Sequence, residues 1–174
     1  MTEHAFMQPE STIANYNAIN NTLDLYIATQ YPHYDREEVA RCLNMKEENI
    51  NVINMTIGGA FGAREDINPQ CHAAIASYIT KRPVKIIYSR EESTISHSKR
   101  HPMKMYYKTA VKSNGRLCAL KARIYADTGA YASWGINVIR KAAVHATGPY
   151  EIPNVDIKAY AVYTNNPFCG AMRG

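Results

Sequence analysis

The chain has 174 residues, 46% hydrophobic and 20% charged, with a formal net charge of +5. That length suits one domain, and the apolar content allows a sizeable core. No apolar run reaches the roughly 18 residues of a membrane span, and Met1-Thr2-Glu3-His4 lacks the basic and then apolar pattern of a signal peptide. Cysteines at 42, 71, 118 and 169 are too widely spaced for a zinc ribbon, a Cys-x-x-Cys redox pair or a ferredoxin-type cluster. They read as reduced thiols of a cytosolic protein.

The opening residues, His4 to Gln8, run into Pro9, which breaks regular structure; alone they read as a frayed terminus. Ser11 to Asn17 suggests a short strand and Asn20-Asn21 a turn. Leu23 to Gln30 alternates apolar and polar residues as a strand does, and Pro32 stops it. Asp35, with Glu38 three residues on, reads as an N-cap and capping-box partner for a helix over 35–45. A β-branched run then predicts a strand over 50–57. Ile67 to Lys81 is the strongest helical pattern, with small alanines suited to close packing and Pro83 just beyond it. Strands follow near 84–89, 103–112, 116–127 and 155–163, and a helix over 136–147. Arg90-Glu91-Glu92 and then a polar loop run to Pro102, and Asn114-Gly115 between alternating runs is a strong hairpin signal. The result is an α/β (α+β) chain with a mixed sheet and packed helices.

Met55 to Asp66 joins a strand to a helix through Gly58, Gly59 and Gly62. Such a turn bares backbone N–H groups beside a helix start, which builds a cradle for an anion or cofactor. A ligand-free Gly-Gly turn is the other reading. No Gly-Lys-Ser/Thr follows, so this is no Walker loop, and the glycines are out of register for a dinucleotide fingerprint. If the strands at 23–30 and 50–57 pair in parallel around the helix between them, Gln30 and Phe61 share one sheet edge, where α/β ligands bind.

Gly58-Gly59-Ala60-Phe61-Gly62-Ala63-Arg64-Glu65 resembles the Gly-Gly-Gly-Phe-Gly-Gly-Lys-Glu segment of the molybdenum hydroxylases, the xanthine dehydrogenase and aldehyde oxidase family. Ala60 and Arg64 depart from it mildly. Further segments agree: His4 to Glu10, with Gln8 in place of a glutamate; Thr29-Gln30; Arg100-His101-Pro102 through Asp127-Thr128-Gly129-Ala130-Tyr131; and Asn165-Asn166-Pro167 through Arg173-Gly174. The resemblance covers nearly the whole chain, as the first half of the molybdopterin-binding domain, with no separate iron-sulfur or FAD domain.

The resemblance implies hydroxylation of an electron-poor carbon of an aldehyde, purine or other N-heterocycle with oxygen from water. It implies a molybdenum-pterin cofactor, as molybdopterin or its cytosine dinucleotide. Gln30 would hydrogen-bond an oxo ligand on the metal, Gly58, Gly59, Phe61 and Gly62 would lie over the cofactor, and Arg173 would lie near it. Glu65 matches a substrate-orienting glutamate; its other reading is a carboxylate favoured by the following helix N-terminus. Lys141, or adjacent Arg140, stands near a substrate-orienting arginine; its other reading is an exposed helix cation. The family's general base, a later glutamate, has no counterpart here, so the resemblance implies a fragment that holds no cofactor and is inactive alone. Its partners would be the remaining half of the molybdenum domain and iron-sulfur and FAD subunits, in the cytoplasm. Two rivals stay open: a basic anion- or nucleic-acid-binding module using the glycine loop and Lys99-Arg100, and a non-catalytic assembly subunit.

Overall fold

The computed structural model describes residues 2–173, arranged as two compact units. One unit comprises 3–97 together with Arg173, and the other 98–172 with Thr2.

In the first unit, strands β1 (Ser11–Asn17), β2 (Thr22–Ile27), β3 (Ile50–Asn54) and β4 (Val84–Ile87) form a sheet of order β3-β2-β1-β4. β1 is antiparallel to β2 and β4, whereas β2 and β3 are parallel. The parallel pair is joined through helix α1 (Pro32–Leu43), so the strand-helix-strand reading holds. Helix α2 (Pro69–Thr80) packs on β1 and against α1. Alternation along β1 and β2 sends Ala14, Tyr16, Leu23, Leu25 and Ile27 inward, where they meet Val39, Ala40, Ile50, Ala73 and Ala74. Ala73 and Ala74 are fully buried, which lets the α2 backbone approach the sheet closely.

Several boundaries differ from the sequence reading. β2 ends at Ile27, so Gln30 lies in the connection beyond it. Pro32 opens α1 rather than merely stopping a strand, because a helix's first turn needs no proline N–H. Asp35 is therefore inside the helix, not its cap: it is buried and accepts from Gln70 Nε2 at 3.1 Å. Glu38 pairs instead with Arg41 at 2.8 Å. The expected polar loop after β4 contains helix α3 (Arg90–Ser96), started by a capping box in which Ser89 and Glu92 exchange hydrogen bonds of 3.1 and 2.7 Å.

In the second unit, β5 (Met103–Val111), β6 (Leu117–Gly129) and β7 (Asn154–Tyr163) form a sheet of order β5-β6-β7. β5 and β6 make the expected antiparallel hairpin, with Gly115 at φ +82° in the turn. β6 and β7 are parallel, connected through helix α4 (Gly135–Val144), a second strand-helix-strand unit. The strands thus divide between two mixed sheets. After β6, Gly129 (φ +73°) turns the chain beneath Pro167 and Phe168. Asp127 accepts from Gly129 N–H, Thr164 Oγ1 and Asn166 Nδ2 there. Burial opposes charge on Asp127, but these hydrogen bonds outweigh it and hold the carboxyl below its usual range.

Candidate functional site

The glycine loop is fixed from three sides within the first unit. Gln8 holds Gly58 twice: its N–H donates to the Gly58 carbonyl at 3.2 Å, and its Oε1 accepts from Gly58 N–H at 2.6 Å. A Cβ on Gly58 would stand 2.6 Å from Gln8 Cβ, so this contact requires glycine. Arg64 clamps the loop from beneath. Its guanidinium, buried and stacked 4.8 Å from the Phe6 ring centre, donates to the carbonyls of Gly59, Ala28 and Gln8. Burial disfavours its charged form and lowers its pKa, a cost that Glu10 opposes and nearby Arg90 adds to. The start of the chain is therefore not frayed: His4, Phe6 and Glu10 are buried.

The connection after β2 meets the loop on the third side. Asn54 exchanges two hydrogen bonds of 3.1 Å with the Thr29 backbone, and Thr29 Oγ1 donates to the Arg64 carbonyl. Gln30 N–H donates to that same carbonyl at 3.1 Å. Gln30 Oε1 accepts from Gly62 N–H at 3.0 Å. Because a backbone N–H can only donate, this fixes the amide orientation, and the Gln30 NH₂ donates to Glu65 Oε1 at 3.5 Å. Phe61 has φ +55° and Gly62 φ +100°, so the backbone reverses sharply here. Phe61 is left 48% exposed, beside exposed Gln30. Arg173 completes the group. Its N–H donates to the Phe61 carbonyl at 2.9 Å, its guanidinium lies 4.6 Å over the Phe61 ring, and Nη2 donates to the His4 carbonyl at 3.1 Å.

The structure therefore brings together Gln30, Gly58, Gly59, Phe61, Gly62, Glu65 and Arg173. Glu65 belongs to a 3₁₀ turn (Ala63–Glu65) ahead of α2, not to the first turn of α2, which removes the macrodipole reading. Lys141 and Arg140 lie exposed on α4 in the other unit. Sequence reasoning missed Gln8, Arg64 and Asn54 as the residues that hold the loop. Gln8 and Arg64 stood in the resembling segments but as departures from the pattern. Asn54 gave no local signal, since its partner is 25 residues away.

In the second unit, a cavity of about 850 Å³ lies between β5, β6 and the end of α4, lined among others by Met105, Tyr107, Leu120, Ile124 and Tyr150. None of the candidate site residues lines it. Lys99 is buried and its backbone is paired with Phe168 and Gly170. With Arg64 also buried, the basic-module reading loses two of the cations it needs.

An exposed ring, a carboxamide and a guanidinium gathered on a glycine loop at the C-terminal ends of a parallel strand pair define a cofactor-binding α/β domain. A family model described as the molybdopterin cofactor-binding domain matches residues 1–174, and the chain belongs to that family. Its relatives include the nicotinate dehydrogenase large molybdopterin subunit of Eubacterium barkeri, 48% identical over 171 residues, covering 98% of this chain and 40% of that protein. The xanthine dehydrogenase of Dictyostelium discoideum is 32% identical over 174 residues, covering 99% of this chain and 13% of that protein. Among solved structures, quinoline 2-oxidoreductase from Pseudomonas putida 86 matches with a TM-score of 0.88 and 28% identity, over 99% of this chain and 22% of that one. The aldehyde oxidoreductase from Desulfovibrio gigas shares the fold, with a TM-score of 0.90 at 24% identity, over 95% of this chain and 18% of that one. The chain thus spans less than half the length of these relatives.

Proposed function

We propose that this chain forms one wall of the molybdenum-pterin site in a hydroxylase acting on an N-heterocycle or an aldehyde. The observation that carries the reading is the Gln30–Gly62 hydrogen bond, which fixes the amide of an exposed side chain with its NH₂, a neutral donor of two hydrogens, beside the glycine loop and Glu65. An NH₂ group suits an oxygen ligand of a metal, because it donates without adding charge. Arg173 supplies positive charge for a phosphate-bearing pterin. The donor set therefore fits the group. When bound, the cofactor supplies the redox chemistry that puts a water-derived oxygen on carbon.

The chain's own residues position and exclude. Gln30, Gly58, Gly59, Phe61, Gly62 and Arg173 hold the cofactor, and the buried Arg64 and Gln8 keep their backbone rigid. Phe61 presents an apolar face that displaces water from the reacting side. Glu65, beside the Gln30 amide, orients a heterocycle by accepting a hydrogen bond from a ring N–H. Lys141 or Arg140 is the candidate second substrate contact. The nicotinate and xanthine dehydrogenase relatives favour a heterocycle over an aldehyde. The rest of the site, the general base and the iron-sulfur and FAD electron exits belong to further parts of the enzyme or to partner subunits.

The test is Gln30→Ala in the full-length enzyme, with dye-reduction assays on nicotinate, xanthine, hypoxanthine and an aromatic aldehyde. Turnover of one heterocycle is expected in the wild type and about a 10²–10³-fold loss in the variant, the usual cost of one aligned donor. Wild-type protein with neither bound molybdenum nor turnover would overturn the reading.

A further inference from the structure

Beside the candidate site, but independent of the reading above, Glu3, His4 and His97 converge. Each offers one ligand atom, and these atoms all lie within 4.8 Å of one another. His4 and His97 are buried. Their rings approach at 5.5 Å between centres.

The hydrogen bonding of His97 settles its tautomer. Nδ1 faces the Ser93 carbonyl, one turn back along α3, and a carbonyl only accepts. Nδ1 therefore carries the proton, and in the neutral ring Nε2 has the lone pair. That lone pair points at Glu3 Oε1, 2.5 Å away. Two acceptors so close require a cation between them, either a second ring proton or a metal ion. A second imidazole, that of His4, offers a ligand atom within 4.8 Å of both.

A second observation lies on the far side of the His97 ring. Glu10 is buried, and neither carboxylate oxygen has a hydrogen-bond partner among the described residues. Its Oε1 stands 3.7 Å from His97 Nδ1. A carboxylate and a carbonyl behind one ring nitrogen, with the other nitrogen directed at further ligands, is the outer arrangement of histidines that bind metal. It fixes the orientation of the ring.

We propose that Glu3, His4 and His97 bind a zinc ion, with Glu10 as a positioning residue behind His97. Two imidazoles and one carboxylate are a ligand set that zinc accepts, with one position left for water or a further ligand. Zinc bonded at about 2 Å to each ligand spaces its donors by about 3.3 Å. Glu3 Oε1 then draws back from its present position, which its 30% exposed side chain allows by rotation. The ion would tie the first residues of the unit to the end of α3, sequence separation 94.

The experiment uses the full-length protein, with zinc counted by mass spectrometry, Co²⁺ uptake followed by its visible spectrum after chelation, and melting midpoints read with and without Zn²⁺. The expected result is one zinc more per chain in the wild type than in Glu3→Gln or His4→Gln. Zn²⁺ should raise the melting midpoint of the wild type but not of Glu3→Gln. Glu10→Gln is expected to keep the site with about 10–100-fold weaker metal affinity. Equal zinc content and equal Co²⁺ uptake in wild type and Glu3→Gln would overturn the proposal. Should the variants fail to fold, a wild-type midpoint unmoved by Zn²⁺ overturns it alone.

Discussion

The Arg173 guanidinium lies 4.6 Å over the centre of the Phe61 ring, while its backbone N–H donates to the Phe61 carbonyl at 2.9 Å. One residue thus fixes both the ring and the backbone of the loop's exposed tip. Cation–π contacts at partly exposed sites are worth about 0.5–2 kcal/mol. Arg173→Ala in the full-length enzyme is expected to lower molybdenum and pterin content per chain several-fold, with global stability little changed. Arg173→Lys keeps the charge but loses the planar stack and is expected to fall between. Cofactor content measured beside the melting midpoint checks both.

Arg64 carries a different role, and its loss should be felt in stability. Removing its side chain strands three carbonyls and opens a space beside Phe6. Arg64→Ala is expected to cost about 3 kcal/mol or more. Arg64→Lys should cost less, since an ammonium restores the charge but not the planar fork. Urea midpoints of the three proteins give the order.

Asp35 sets a pH dependence of stability. Its carboxyl is pushed up from 3.8 to about 6 by burial, against opposing hydrogen bonds from Thr29 and Gln70. The folded protein therefore holds this proton more tightly than the unfolded chain. The stability Asp35 contributes is fully present below about pH 4 and is lost as pH rises through about 6. A change of that size corresponds to about 3 kcal/mol. Asp35→Asn keeps the acceptor facing Gln70 and removes the charge. It is expected to match wild type near pH 4 and exceed it at pH 7, which denaturation at the two pH values measures.

Gly129 marks a point where a side chain cannot be admitted. A Cβ there would meet the Pro167 carbonyl oxygen at 2.3 Å and Phe168 Cα at 2.6 Å, and both are backbone. Its φ of +73° disfavours any L residue besides. Gly129→Ala is expected to destabilise by more than about 3 kcal/mol. Loss of soluble expression or a collapsed melting midpoint is the readout. Gly115→Ala is the control, because nothing lies within 4 Å of its position and only the φ of +82° is strained.

The sequence was most legible where local pattern decides structure. The alternation from Leu23 and the Asn114-Gly115 hairpin needed no tertiary information; the hairpin formed as read, and the strand formed but ends at Ile27 rather than Gln30. Ser89 and Glu92 carried a capping-box signal for α3 that polar composition masked. Asp35 misled because a carboxylate near a helix start reads as a cap, and only the packing of Gln70 against it shows otherwise. The glycine loop was legible as a sharp turn after a strand, but what holds it was not. Gln8, Asn54 and Arg64 act over separations of 50, 25 and up to 56 residues, beyond any window of periodicity. The division into two sheets was equally hidden, since strand partners are a property of topology.

The Arg173–His4 hydrogen bond closes a loop of 169 residues, and through it the first and last described stretches of the first unit meet at the cradle. A growing chain leaves the ribosome from its N-terminus at about 5–20 residues per second. Phe61 is therefore out for several seconds before Arg173 is translated, its ring without a cation above it. The cradle reaches its final form only after residues 98–172 have also been made. On the proposed function, insertion of a large anionic cofactor at this edge waits until Arg173 has cleared the exit tunnel, and a nascent chain stalled before that residue presents the loop without its cation.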